Sequence, residues 1–292
     1  MSGKTQLKAL ERAVELAPDS AENQFELGIA LREAGRYDEA EQALQRAINL
    51  RPEYVNGPLE LGFLYYTTNR YDAAANQFRL ASALAPLNVG AYNNLGGLMY
   101  YLGRFREARE AFEASLAASP NSIAYSQLGT MNFDDGYYTL AADMFERAVE
   151  LEPNDCVLAG NLATSYYWGG DSERAAPALR RAIEVCERHL DANPHDQLLM
   201  ANLAGYYGIL GEGRERGLAL LGEATSSEIV DAQLLAVIGE SYEDLGERDL
   251  ALEWLGKALE HGLEPTQLGV MLSLEKLRED PRYGDLVRSV TR

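Results

Sequence analysis

One dipeptide recurs along this chain at a nearly fixed interval. Leu or Ile followed by Gly or Ala stands at Leu27-Gly28, Leu61-Gly62, Leu95-Gly96, Leu128-Gly129, Leu162-Ala163, Leu203-Ala204 and Ile238-Gly239. The steps between them are 34, 34, 33, 34, 41 and 35 residues. A step of this size marks stacked supersecondary units, none of which can bury its apolar face alone. Thirteen residues after the Leu or Ile comes Ala40, Ala74, Ala108, Ala141, Ala175 or Ala251, and four further on Leu44, Phe78, Phe112, Phe145, Leu179 or Leu255. Prolines at 18, 52, 86, 120, 153, 194 and 265 close the units, with Ser20, Asn88, Asp155 and Asp196 placed behind them as helix N-caps. Gly35, Gly103, Gly136, Gly170, Gly211 and Gly246 fall where a first helix must end and the chain turn. The pattern predicts an all-α chain of helix pairs. The Leu fills the space within a pair, and the small residues let backbones approach.

The Leu-Gly pair, the later Ala-x-x-x-Phe and the closing Pro resemble the tetratricopeptide (TPR) repeat, over residues 5 to 265. The resemblance implies a right-handed α-α superhelix of about fifteen repeat helices. Seven units follow, at 21–54, 55–88, 89–121, 122–155, 156–196, 197–231 and 232–265, with 1–20 as a half repeat or cap helix and 266–292 as a C-terminal helical cap. The segment from Asp280 to Val287 is similar to the closing segment of bacterial TPR arrays, which often follow a kinase, nucleotide cyclase or DNA-binding domain. Three departures stand out. The chain opens on a second-type helix (Leu7, Leu10, Val14), which reads as a cap or as the mark of a longer parent chain. The fifth unit carries seven extra residues; seven is about two turns, so Leu179, Ile183, Cys186 and Leu190 keep one face and the helix should run unbroken from 171 to 192. The sixth unit has an added residue in its glycine-rich turn and Gly217 near the Ala position, predicting the loosest part of the array.

In the TPR family the first helices line a concave groove. The twelfth position of four successive units reads Tyr66, Tyr100, Phe133 and Tyr167, flanked by Phe63, Tyr101 and Trp168. Small residues beside them (Gly97, Thr130, Gly160, Thr164, Gly205) are expected to leave room in front of the rings. These rings either anchor a ligand or pack sideways on neighbouring helices. The stripe as a whole favours anchoring, since aromatics are the usual interface anchors. Asn94, Gln127, Asn161 and Asn202 precede the dipeptide, with Asn93 beside the first of them. This is similar to the asparagine ladder of O-linked N-acetylglucosamine transferase, whose amides grip a peptide backbone; a primary amide both donates and accepts. Glu26, Glu60 and Val237 interrupt the ladder, and local hydrogen bonding is the competing use.

A net charge of −19 argues against nucleic acid and anionic membranes as partners and favours a neutral or basic protein or peptide with apolar anchors. Among the groove positions only Arg32 is basic, whereas Glu22, Glu26, Glu33, Glu60, Asp134, Glu240, Glu243 and Asp244 are acidic. A carboxylate clamp for acidic chaperone tails is therefore not expected. His189, His195 and His261 are scattered, no metal or cofactor motif is present, and no enzymatic activity is predicted. Cys156 and Cys186 are read as reduced packing residues, and an apolar leader is lacking, so a cytoplasmic chain is the default. The reading is a peptide- or protein-binding scaffold; the rivals are a regulatory segment of a larger signalling enzyme and a chain that self-assembles with further copies.

Overall fold

The recurring glycines sit where large side chains of the paired helix leave no room for a Cβ. A Cβ on Gly28 would fall 2.6 Å from Leu44, on Gly62 2.5 Å from Phe78, on Gly96 2.7 Å from Phe112 and on Gly239 2.7 Å from Leu255. These four dipeptides thus meet the large residue read sixteen positions after the glycine, and each pair closes as a tight antiparallel hairpin. The computed structural model describes residues 3–290, and among them there is no strand.

The helices are α1 (Gly3–Leu16), α2 (Ala21–Glu33), α3 (Tyr37–Leu50), α4 (Asn56–Thr67), α5 (Tyr71–Leu84), α6 (Val89–Tyr101), α7 (Phe105–Ala118), α8 (Ser122–Asp134) and α9 (Tyr138–Leu151). They continue as α10 (Cys156–Trp168), α11 (Ser172–Ala192), α12 (Gln197–Leu210), α13 (Arg214–Ala224), α14 (Ala232–Asp244), α15 (Arg248–Glu260), α16 (Pro265–Val270) and α17 (Pro281–Val290). Ser20, Asn88, Asp155 and Asp196 each accept from a backbone N–H of the following helix, as the capping pattern predicts. The chain divides into two compact units inside α8, one ending at Met131 and one beginning at Asn132.

In the first unit Leu44, Leu61, Leu64, Phe78, Met99 and Phe112 are almost wholly buried. The opening helix α1 packs on α2, and Glu11 reaches Arg36 at 2.7 Å. In the second unit the core is built from Leu179, Leu203, Leu220, Leu221, Leu235, Ile238 and Leu255. Its closing segment buries Leu268, Leu274 and Leu277 completely and lays α17 on α15. The extra residues of the fifth unit extend α11 to a single 21-residue helix, with Leu179, Cys186 and Leu190 buried along it.

A second device joins neighbouring pairs. The Tyr65 hydroxyl donates to Glu41 at 2.8 Å, and Arg70 bonds the same carboxylate at 2.6 Å while lying 4.2 Å over the Tyr65 ring. In the second unit Tyr166, Glu146 and Arg174 repeat the arrangement, as do Tyr207, Glu187 and Arg216. The arginine hydrogen bond holds the Glu41 and Glu187 carboxyls below their usual range. These surface clasps fix the orientation of one pair on the next more than they add stability.

Two expectations are corrected here. Cys156 and Cys186 are not reduced: their Cα atoms lie 5.0 Å apart and the sulfurs are bonded, joining the start of α10 to the overlong α11. The sixth pair is not slack either. A Cβ on Gly217 would meet Leu245 at 3.0 Å, and Leu220, Leu221 and Ala224 are fully buried. What changes is the packing partner. α12 lies directly along α14, whereas α13 barely touches α14. A Cβ on Gly208 would fall 2.6 Å from the Asp244 backbone carbon, and the Ser241 hydroxyl donates across to the Ala201 carbonyl at 2.8 Å.

Candidate functional site

The position-twelve rings are neither free nor buried. Tyr66 is 44% exposed and Tyr167 42%, while Phe63, Tyr100, Phe133 and Trp168 are half-buried. Each ring leans against the residue that opens the following helix: Tyr66 tilted on Tyr71 at 5.9 Å, and edge-on Tyr100 on Phe105 at 5.3 Å and Phe133 on Tyr138 at 5.1 Å between centroids. In the fifth pair that opening residue is Ser172, and Tyr167 leans on Trp168 instead, at 5.0 Å. The supporting aromatics were legible as a second stripe (Tyr37, Tyr71, Phe105, Tyr138) at the same period, but the groove positions alone do not reveal it. Tyr101, 61% exposed, joins Tyr66 and Tyr71 in a three-ring group. Phe63 packs on Phe78 of the core.

The amides divide into two kinds. Asn93 is buried and donates to Asn121 at 3.0 Å, so it serves the link between α7 and α8 and is not part of an open face. Asn94 and Gln127 in the first unit, and Asn161 and Asn202 in the second, are half-buried and make no side-chain hydrogen bond among the described residues. Local hydrogen bonding, the competing use of such residues, is absent at these four positions.

The room expected in front of the rings is only partly there. Nothing lies within 4 Å of a Cβ on Gly97. At Gly160 the space holds the Tyr206 hydroxyl, which would sit 1.9 Å from a Cβ, and at Gly205 it holds Ser241. Thr130 and Thr164 turn their hydroxyls back to the carbonyls of Ser126 and Gly160.

The second unit contains a cleft of about 670 Å³, lined from α10 by Asn161, Thr164 and Trp168, from α12 by Asn202 and Tyr206, and from α14 by Glu240 and Asp244. Phe133, Tyr138 and residues 270–273 complete its wall. None of the lining residues is basic. Withdrawal from solvent pushes the Glu240 carboxyl up to about 7. The same cause, reinforced by the charge of Glu240, pushes Asp244 up to about 8 against the hydrogen bond from Ser273. Burial raises the Tyr206 hydroxyl to about 12.

Models of the tetratricopeptide repeat match residues 7–55, 98–155, 158–196 and 232–260. The chain belongs to the tetratricopeptide repeat family. A TPR protein from Parabacteroides merdae is similar over 94% of this chain and 99% of its own, at 18% identity and a TM-score of 0.62. MamA is similar over 60% of this chain and 96% of its own, at 20% identity and a TM-score of 0.52. YrrB, described as a TPR protein with an unusual peptide-binding site, is similar over 61% of this chain and 93% of its own, at 19% identity and a TM-score of 0.50. No curated protein matches the sequence. No helix among the described residues is long and apolar enough to cross a membrane.

The acidic pair gives this TPR chain a pH signature. Both carboxyls titrate higher folded than unfolded, so their contribution is fully present below pH 4 and is lost as pH rises through 7 to 8. Relative to the double variant Glu240→Gln/Asp244→Asn, the wild type is expected to lose on the order of 5 kcal/mol of stability between pH 5 and 9. Urea midpoints of both proteins across that range test this, and parallel curves would show that the two carboxyls titrate normally.

Proposed function

We propose that this protein is a non-catalytic scaffold that holds an extended segment of a partner protein on the first helices of its repeats. The observation that carries the reading is in the second unit, where Asn161 and Asn202, without hydrogen-bond partners among the described residues, line one cleft with Phe133 and Trp168; Asn94 and Gln127 are likewise unpartnered in the first unit. Such an amide suits the backbone of a peptide of any sequence, and the rings supply apolar anchors. The likeness in fold to YrrB, described as having a peptide-binding site, supports a peptide as the occupant. The excess of carboxylates selects a neutral or basic segment, with steering that weakens as salt is added. The scattered histidines fit no catalytic role: His189 and His261 lie near helix ends, hydrogen-bonded to the carbonyls of Asn154 and Lys257. The Cys156–Cys186 bridge favours an oxidising compartment over the cytoplasm.

The test is an array of synthetic decapeptides of systematically varied sequence, probed with labelled wild type and variants. For peptides that bind, Asn161→Ala/Asn202→Ala is expected to weaken binding about tenfold or more, since each amide–backbone bond contributes about 1 kcal/mol. Tyr167→Ala is expected to cost about 2 kcal/mol of binding with an unchanged urea midpoint. Undiminished binding by both variants would remove the reading. Tyr100 is the weaker choice, because its ring also supports Phe105 and its loss would reduce stability as well as affinity.

A further inference from the structure

Resting on that reading, we propose that the cleft of the second unit receives an arginine side chain presented by the bound segment. Four other carboxylates of this unit have cationic partners: Glu146 with Arg174, Glu187 with Arg216, Glu212 with Arg180 and Glu243 with Arg248. Glu240 has none, and Asp244, one turn further along α14, has only the Ser273 hydroxyl. Both are held in the cleft wall by the direct packing of α12 on α14, where Gly205 and Gly208 admit Ser241 and the Asp244 backbone. Two withdrawn carboxyls without a counter-ion keep their protons toward neutral pH, and a cation in the cleft would favour their ionised form.

The rest of the lining chooses among cations. Phe133, Trp168 and Tyr206 offer ring surface, and Asn161 and Asn202 offer amide oxygens with no other partner. A guanidinium is planar, weakly hydrated and charged at every relevant pH, so it stacks on rings and enters a partly dry cleft more readily than an ammonium. The other groups facing the pair are Asp134 of α8, Tyr138 of α9, Tyr206 of α12 and Ser273 of the closing segment, and none supplies positive charge. Raising the pH from 6 to 9 therefore ionises the pair and strengthens capture of a guanidinium.

The experiment titrates the full chain with N-acetyl-arginine N-methylamide, and with its lysine and citrulline counterparts, to 20 mM, following backbone amide shifts. The arginine compound is expected to shift Trp168, Asn202, Glu240 and Ser273 saturably. Citrulline, of the same shape without charge, is expected to bind at least tenfold more weakly, and lysine more weakly than arginine. Glu240→Gln/Asp244→Asn should abolish the preference for arginine over citrulline while keeping the dispersed spectrum of the folded chain. Equal affinity for arginine and citrulline, tighter binding of lysine, shifts confined to other surfaces, or no shift at all overturns the proposal. These compounds are too short to bridge successive amides. Loss of the decapeptide reading and loss of this one are therefore separate results.

Discussion

Replacing Phe112 by Ala is expected to lower the unfolding free energy by about 3–5 kcal/mol, the range for a large aromatic removed from a closed core. Phe112 is fully buried, and its ring occupies the space that Gly96 leaves on the facing helix. Gly96→Ala is expected to be destabilising on its own, because the new Cβ would lie 2.7 Å from the ring that fills the gap. The two changes should not add. With the ring gone, the added methyl has room and replaces part of the lost contact, so the double variant should be more stable than the sum of the singles predicts by about 1 kcal/mol or more. Urea unfolding of the four proteins measures the cycle. Strict additivity would mean that the Leu-Gly dipeptide is not small on account of the aromatic opposite it, and the explanation of the repeat's most regular feature would fall.

That feature was legible because it is local in the period. Gly62 and Phe78, or Gly96 and Phe112, stand at one fixed offset in one unit, so the sequence carries both halves of the contact. The long α11 was legible for a related reason: its apolar positions at 179, 183, 186 and 190 keep helical spacing through the insertion. Contacts between neighbouring helix pairs were not. Gly160 reads as an empty place until Tyr206, from the next pair, is seen to fill it. The Tyr65–Glu41–Arg70 clasp spans two pairs and shows no signature in either alone. Glu240 and Asp244 looked like part of a general acidity. Their difference from the other carboxylates arises from the close approach of α12 to α14, which depends on Gly208 meeting the Asp244 backbone. The rings of the candidate face were found from their period, but the aromatics that prop them were overlooked because those open the second helices, outside the groove positions.

Reduction of the Cys156–Cys186 bond is expected to cost about 3–4 kcal/mol of stability. The bond closes a loop with a sequence separation of 30, and the chain-entropy estimate for a loop of that length has this size. Sequence reading missed the bond because proximity here depends on how α10 packs on α11, which a separation of 30 residues does not reveal. Cys156 opens α10, and Cys186 stands in α11 one position past where the usual 14-residue second helix ends, so the pair meets only once the two helices are packed. The fold should survive reduction, since Ala159, Ala163, Leu179 and Ala182 still pack α10 against α11. The loss should appear as faster amide exchange in the fifth pair and a lower urea midpoint. Cys156→Ala/Cys186→Ala should reproduce both changes and make the protein indifferent to reductant. A thiol titration of the native chain should find no free sulfhydryl before reduction and two after it. Two reactive thiols in the untreated protein, or an unchanged midpoint on reduction, would show that the bond is not part of what holds α10 to α11.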